Sequence, residues 1–328
     1  MPSMAVMTYI EALSRGMWEE MERDVSVFMI GEDIGVYGGA FKATKGFLER
    51  FGNERVIDSP LSEAAIIGAA TGAALVGMRP IAEMQFADFV SCGFNQLVMN
   101  TAKIHYRWDM PVPLVLRLPS GGNIHGGTYH SVNPEGWFLN VPGLKIVAPS
   151  TAYDAKGLMK AAIRDNNPVI FLEYKYLYRR EKGEVPDEEY IVPIGKGEIR
   201  RRGDSALIIT YGPTVHPSIE AADQLAQEEG VETRVLDLRT LSPLDTDLIV
   251  RSVRETGKVL IVHEATLTGG VGGEIAAIIA AHAFEYLDAP IQRVGSLDTP
   301  VPFAPTLEEA FLPGKQRITE ALKELIRY

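Results

Sequence analysis

Short apolar, β-rich runs alternate with longer amphipathic or small-residue stretches along nearly the whole chain, and this order constrains the fold more than any other feature. Val25–Ile30, Val56–Asp58, Pro80–Phe86, Val112–Arg117, Leu144–Ala148 and Val169–Glu173 read as strands. Between them, helical patterns cover Lys42–Arg50, Ala64–Val76, Phe89–Tyr106 and Tyr153–Asp165. Strands separated by helices of this length imply parallel βαβ units. A second set follows, with strands at Ala206–Tyr211, Val231–Leu238, Val259–His263 and Ile291–Val294. Its helices are His216–Glu229, Asp245–Thr256, Glu274–Tyr286 and most of Leu307–Ile326. The expected fold class is α/β, with two successive doubly wound domains. The expected boundaries are 1–178 and 204–328, joined by an exposed connector over 179–203, where charges crowd and apolar periodicity fades.

Length and composition agree with two domains. The chain has 328 residues and a formal charge of -11, with 43 acids against 32 bases. That balance argues against a nucleic-acid surface or a polybasic membrane anchor. The single Cys92 excludes an intramolecular disulfide framework. No uncharged apolar run approaches the length of a membrane span. Thr8 and Glu11 form a capping-box pattern, and Met1–Met21 reads as an amphipathic helix rather than a signal peptide. The expectation is a cytoplasmic protein, or a mitochondrial matrix protein if a transit peptide has been removed.

One carboxylate stands out. In Pro60-Leu61-Ser62-Glu63-Ala64-Ala65-Ile66-Ile67-Gly68, Glu63 opens a very apolar, small-residue helix. Burying an acid without a partner is costly. Either Glu63 caps its own helix or it meets a ligand that needs it. Phe86 and Phe89 follow a strand whose C-terminal end borders the ligand crevice of a parallel sheet. An aromatic there can stack on a flat heterocycle, although core packing is the default for either ring.

Two glycine-rich loops are present. Ser120–Gly127 follows a strand and lacks the Gly-Lys-Ser/Thr ending of a nucleotide loop. Gly269-Gly270-Val271-Gly272-Gly273 has Ile275 where a dinucleotide fingerprint needs its third glycine, so it reads as a tight strand-to-helix turn. His125 and His130 lie in the first loop, with no third ligand to complete a metal site. A general acid–base role suits a loop histidine, and a purely structural role stands beside it for both.

Several motifs together resemble one family: Asp58-Ser59-Pro60-Leu61-Ser62-Glu63, Glu83-Met84-Gln85-Phe86-Ala87-Asp88-Phe89, Tyr129-His130-Ser131 and Asp154-Ala155-Lys156-Gly157-Leu158. They are similar to the beta subunit of thiamine-diphosphate-dependent 2-oxo acid dehydrogenases, the decarboxylating component of the lipoyl complexes. The resemblance runs from about Met7 to the C-terminus. It implies a pyrimidine-type thiamine-diphosphate domain followed by a transketolase C-terminal-type domain. It implies that Glu63 hydrogen-bonds the aminopyrimidine ring, where a carboxylate favours the imino tautomer that takes the thiazolium proton. Phe89 matches the aromatic that packs on that ring, and Leu61 and Gln85 fall among the cofactor contacts. His130 matches the histidine linked to proton transfer as the acyl group moves to lipoamide; the role of His125 stays open. Leu114, Ala162, Ile163, Asp165 and Asn167 match a potassium site made largely of backbone carbonyls.

The family's cofactor needs magnesium held by a Gly-Asp-Gly segment followed by Asn. This chain lacks it, and its only Gly-Asp, Gly203-Asp204, continues into Ser205. The resemblance therefore implies that the magnesium ligands belong to an alpha subunit in an α2β2 heterotetramer. It also implies a lipoyl-bearing acyltransferase core as partner and a small 2-oxo acid as substrate. Tyr129–Glu135 and His263–Gly270 look more like branched-chain members, which points to 3-methyl-2-oxobutanoate. Pyruvate and acetoin are the alternative substrates. A self-contained transketolase-like enzyme and a non-catalytic assembly subunit are the rival classes.

Overall fold

The computed structural model describes residues 4–328. The chain forms two compact units. One comprises the residues up to Ser120 together with Trp137–Ile194, and the other comprises Gly121–Gly136 together with Gly195–Tyr328.

The first unit opens with strand β1 (Met4–Thr8) and helix α1 (Tyr9–Arg23), so a strand takes the start of the helix expected over Met1–Met21. Residues 1–3 of that expected helix lie outside the described residues. Thr8 and Glu11 make the reciprocal capping box that their spacing announces. Then come β2 (Val27–Gly31), α2 (Phe47–Phe51), β3 (Val56–Asp58), α3 (Glu63–Leu75), β4 (Arg79–Glu83), α4 (Ala102–Trp108) and β5 (Val115–Ser120). After α5 (Glu135–Phe138), a single turn, follow β6 (Lys145–Val147), α6 (Ala152–Arg164), β7 (Val169–Tyr174), α7 (Leu177–Arg180) and β8 (Lys182–Pro186). The strands of this unit run β6-β7-β5-β4-β2-β3, all parallel, and β1 pairs with β8 as a separate antiparallel ribbon.

Three departures from the sequence pattern have local causes. The helix expected over Lys42–Arg50 shrinks to α2, because Lys42 and Gly46 both adopt positive φ and break the turn. The single helix expected over Phe89–Tyr106 divides into a 3₁₀ segment at Ala87–Gly93, a π segment at Gln96–Thr101 and α4. There the Thr101 hydroxyl reaches the Gln96 carbonyl, five residues back, and pairs with Thr71 at 2.6 Å. Residues 182–186, expected within an exposed connector, form the strand that pairs with β1.

Helices α1 and α6 lie against each other at unusual closeness. A Cβ on Gly16 would stand 3.1 Å from the Lys156 carbonyl. Charge lines the contact as well as apolar surface. Lys160 is fully buried, with its ammonium 2.8 Å from Glu19 and 2.5 Å from Glu189, and Lys156 reaches Glu19 at 3.0 Å. Buried Glu20 takes Arg164 at 2.5 Å. Removing one member of such a network strands another charge away from water.

The second unit contains β9 (Glu198–Arg201), β10 (Ala206–Thr210), α8 (Val215–Glu229), β11 (Thr233–Asp237), β12 (Thr240–Ser242), α9 (Thr246–Thr256), β13 (Val259–Thr266), α10 (Val271–His282), β14 (Gln292–Ser296), α11 (Pro305–Phe311) and α12 (Lys315–Ile326). Its five-stranded sheet runs β14-β13-β10-β11-β9, parallel except for β9 at one edge. Ala206, Ile208, Val235, Leu260 and Val262 from the sheet pack with Leu225, Ile318, Leu322 and Leu325 from α8 and α12. The helix expected over Leu307–Ile326 is two, because Pro313 offers no amide to continue the first.

Gly143 provides a sharp test of the first unit. Its φ is +102°, and an added Cβ would sit 1.9 Å from the Ala102 carbonyl oxygen, which is backbone and has no freedom to retreat. Gly143→Ala is expected to cost about 3 kcal/mol or more. Urea unfolding of the isolated chain measures this, and an unshifted midpoint contradicts the packing.

Candidate active site

The C-terminal ends of the parallel strands in the first unit carry a row of acids. Asp58 pairs in register with Gly31, Gly31 with Glu83, and Glu83 with Arg117. Glu32 follows β2 directly. Ligands in open α/β sheets bind beyond these strand ends.

Glu63 stands at the first position of α3, 9% exposed, in a helix with no other charged residue. Ser62 makes no side-chain cap. Among the described residues, the Glu63 carboxylate accepts no hydrogen bond. Buried Glu32 lies near enough to feel its charge. Burial first, and then Glu63 and Asp33, push the Glu32 carboxyl above its ordinary range, and its Oε1 has no partner. The helix is held close: a Cβ on Gly93 would fall 2.4 Å from Ile67 and 3.2 Å from the Glu63 carbonyl.

The other expected cofactor contacts lie in the same unit. Gln85 donates to Asp33 at 2.9 Å. Phe89 is half-buried and meets Phe86 edge-on at 5.7 Å between ring centres. Phe86 continues to Phe41 and Phe41 to Tyr178, a file of aromatic rings. Leu61 is 79% exposed, an unusual setting for a leucine beside a buried acid.

Behind the acids, Arg117 is 1% exposed and holds two carboxylates. Its guanidinium binds Glu173 twice, at 2.6 and 2.8 Å, and also binds Glu83. Tyr178 donates to Glu173 at 2.8 Å. One guanidinium cannot neutralise two carboxylates. Glu173 takes the bidentate geometry, and Glu83 is left in surplus. Burial outweighs the attraction of Arg117, so Glu83 rises to about 6. Glu32, Arg117 and Glu173 did not emerge from the sequence pattern, and Glu83 stood there only as part of a family motif, with no role of its own. The available signal was an acid at or just past the end of a buried strand, as in Gly31-Glu32 and Ala82-Glu83.

The residues matched to a potassium site gather at the C-terminal end of α6, where carbonyl dipoles favour a cation. Arg79 donates to the carbonyls of Ile163 and Asp165 at 2.8 and 3.1 Å. The Leu114 carbonyl accepts from Val169, the Ala162 carbonyl from Asp165, and Asn167 meets His105 at 2.6 Å. Two of these carbonyls, those of Ile163 and Asp165, already accept from the Arg79 guanidinium. Among the described residues, no group of three or more His, Cys, Asp or Glu is arranged to hold a metal ion.

His130 falls in the second unit, half-buried in the loop 121–136. Near it, Glu135 is fully buried and accepts from Tyr211 at 2.8 Å, while its Oε2 has no partner. Burial pushes Glu135 up to about 7. His263 is also buried and stacks on Tyr211; burial pulls it down to about 4, so its ring is neutral. A Cβ on Gly270 or Gly272 would lie 2.7 Å from that ring. The second glycine-rich loop is therefore a strand-to-helix turn whose glycines make room for an imidazole.

The comparisons with known proteins agree with this architecture. Residues 5–181 match the family Transketolase, pyrimidine binding domain, and residues 195–318 match Transketolase, C-terminal domain. A solved structure described as a split gene transketolase, inactive beta4 tetramer, shares the fold, with a TM-score of 0.80 over 98% of both chains at 21% identity. The class is thus a transketolase-type, two-domain α/β protein. The 2-oxoisovalerate dehydrogenase subunit beta of Bacillus subtilis is 51% identical over 99% of this chain and 100% of its own length. The pyruvate dehydrogenase E1 component subunit beta of the same organism is 42% identical over 99% and 100%. A 2-oxoisovalerate dehydrogenase subunit beta from Pseudomonas aeruginosa is 43% identical over 98% and 95%. The chain belongs to the family of 2-oxo acid dehydrogenase beta subunits.

Glu135 yields a prediction with a definite sign. Its folded-state value is about 7 against an ordinary 4.5. Stability from this group is present below pH 4.5 and is lost as pH rises through 7. Glu135→Gln keeps an acceptor for Tyr211 and never ionises. Relative to the parent, it is expected to gain on the order of 2–3 kcal/mol between pH 4 and pH 8. Urea titrations at both pH values measure the gain, and a pH-independent difference contradicts it.

Proposed function

We propose that this chain is the beta half of an enzyme that oxidatively decarboxylates a branched-chain 2-oxo acid, 3-methyl-2-oxobutanoate, and passes the acyl group to lipoamide. The observation that carries the proposal is Glu63: a buried carboxylate at the mouth of an apolar helix, with no hydrogen bond to it among the described residues, beside a second buried acid with an orphaned oxygen. These groups fit a cofactor that brings hydrogen-bond donors to them. The cofactor is thiamine diphosphate, which supplies the carbanion chemistry that amino-acid side chains lack. Glu63 accepts a hydrogen bond from its aminopyrimidine ring, and its burial strengthens that bond. Phe89 packs on the same ring, Gln85 is oriented by Asp33, and Leu61 contributes an apolar contact. Glu32, whose carboxyl is raised by burial and by the nearby Glu63 charge, lies beside it.

The diphosphate and its magnesium fall to an alpha subunit, because this chain has no Gly-Asp-Gly segment. The assembly is an α2β2 heterotetramer, and a lipoyl-bearing acyltransferase core is its further partner. His130 serves the transfer to lipoamide. A potassium ion at the end of α6 belongs to the same reading. The branched-chain assignment rests on the 51% identity to the 2-oxoisovalerate subunit, against 42% to the pyruvate subunit of the same organism.

Calorimetric titration of thiamine diphosphate with magnesium tests the division of the site. The chain alone is expected to bind nothing, and the chain with its alpha partner to bind stoichiometrically. Tight binding to the chain alone overturns the proposal. Glu63→Gln, assembled with the alpha chain, is expected to lose decarboxylation by about 10²- to 10⁴-fold; full activity points to a non-catalytic assembly subunit.

The substrate is tested separately in the reconstituted enzyme. kcat/KM for 3-methyl-2-oxobutanoate is expected to exceed that for pyruvate by at least about tenfold, the worth of two methyl groups in an apolar pocket. A pyruvate preference transfers the assignment to the pyruvate class.

A further inference from the structure

Residues 121–132 form a loop whose ends are tied by a hydrogen bond from the Gly121 amide to the Val132 carbonyl at 3.1 Å. Such a loop carries few backbone bonds of its own, so its course depends on what its free amides find. Here they find two buried carboxylates from distant parts of the second unit. Glu308, in α11, has a fully buried side chain. It accepts from the Asn123 amide at 2.8 Å and from the His125 amide at 3.1 Å, and it meets His125 Nδ1 at 2.7 Å. Glu264, at the end of β13, accepts from the Gly122 amide at 2.6 Å and from the Asn133 side chain at 3.1 Å.

The fit is close on every side. A Cβ on Gly122 would stand 3.2 Å from Glu308 Oε1 and 3.8 Å from Glu264 Oε1. Asn123 and His125 both take positive φ, 62° and 57°, a conformation uncommon outside glycine that asparagine and histidine adopt more readily than most residues. The restraint reaches His130 in two steps. Gly126, next to His125, is packed so that a Cβ would fall 3.1 Å from His130 Cβ and 3.0 Å from Ser131 Oγ. The His130 amide in turn donates to the Gly127 carbonyl at 3.3 Å.

We infer that Glu308 and His125 form a clamp that positions His130, with Glu308 as the anchor and His125 as the side-chain arm. This gives His125 a role distinct from acid–base chemistry and rests on the reading of His130 given above. A carboxylate is required because each oxygen must face only donors. A glutamine at 308 would turn an amide N–H₂ toward backbone N–H groups or toward the imidazole. The segment would then lose its imposed backbone conformation, while the elements that carry Glu63 would be untouched.

The test uses the enzyme reconstituted with its alpha chain and three variants, Glu308→Gln, His125→Asn and His130→Ala. Asparagine tolerates the left-handed conformation and removes the imidazole. Two rates are measured: decarboxylation with an artificial dye as electron acceptor, and acylation of a lipoyl domain. Hydrogen exchange at the Asn123 and His125 amides is followed alongside. Glu308→Gln and His125→Asn are expected to keep the dye-linked rate and to lose acylation by about 10- to 100-fold, as a misplaced group does. In Glu308→Gln the two amides are expected to exchange at least about tenfold faster. Loss of acylation in His130→Ala beside normal acylation or unchanged exchange in Glu308→Gln overturns the clamp alone. Normal acylation in His130→Ala overturns the role given to His130 and removes the clamp's catalytic consequence with it. If Glu308→Gln does not fold, His125→Asn decides, and normal acylation in that variant refutes the inference.

Discussion

A guanidinium at the centre of the first sheet sets the terms for the acids around it. Arg117 is buried on β5 between Glu83 on β4 and Glu173 on β7. Taking any of the three out of water costs several kcal/mol, and only mutual attraction and good geometry offset it. Glu173 receives the bidentate contact and a phenol from Tyr178, so it is fully satisfied. Glu83 is not, and it titrates near 6. The sheet thus places an acid of raised pKa and a permanently charged base at the end of the strands where Glu32 lies.

The second unit solves a related problem with different partners. Glu264 and Glu308 are buried against the 121–136 segment and accept from its backbone amides. Their charge is stabilised by backbone amides, which are fixed dipoles and need no counter-ion. The consequence is rigidity in a glycine-rich loop, where the backbone alone would be free. Glycine therefore has two uses in this loop: close approach at Gly122, and a left-handed turn at Gly127 against Phe303.

Much of this was legible in the sequence. The βαβ alternation, the two α/β units and the prominence of Glu63 follow from local patterns, because strand and helix periods are properties of short segments. The capping box at Thr8 was readable for the same reason. Irregular helices were not. The break at Ala87–Thr101 depends on Thr101 meeting Thr71 and on Gly93 lying against α3, and both are contacts across the fold. The Arg117 network was equally hidden, since its members come from three different strands and each alone resembles an ordinary charged residue in a strand.

The sequence by itself determined the class of fold, the family, and the acid at the mouth of the apolar helix, because these depend on residue order and type. Only the tertiary structure decided which carboxylates are buried beside that acid, which of them carries a raised pKa, and which buried groups hold the His130 loop. Those properties arise from desolvation and from distances between residues far apart in the chain, and no local pattern encodes them. The family resemblance pointed to His130 and left His125 open; the contact with Glu308, 183 positions away, is what gives His125 a place.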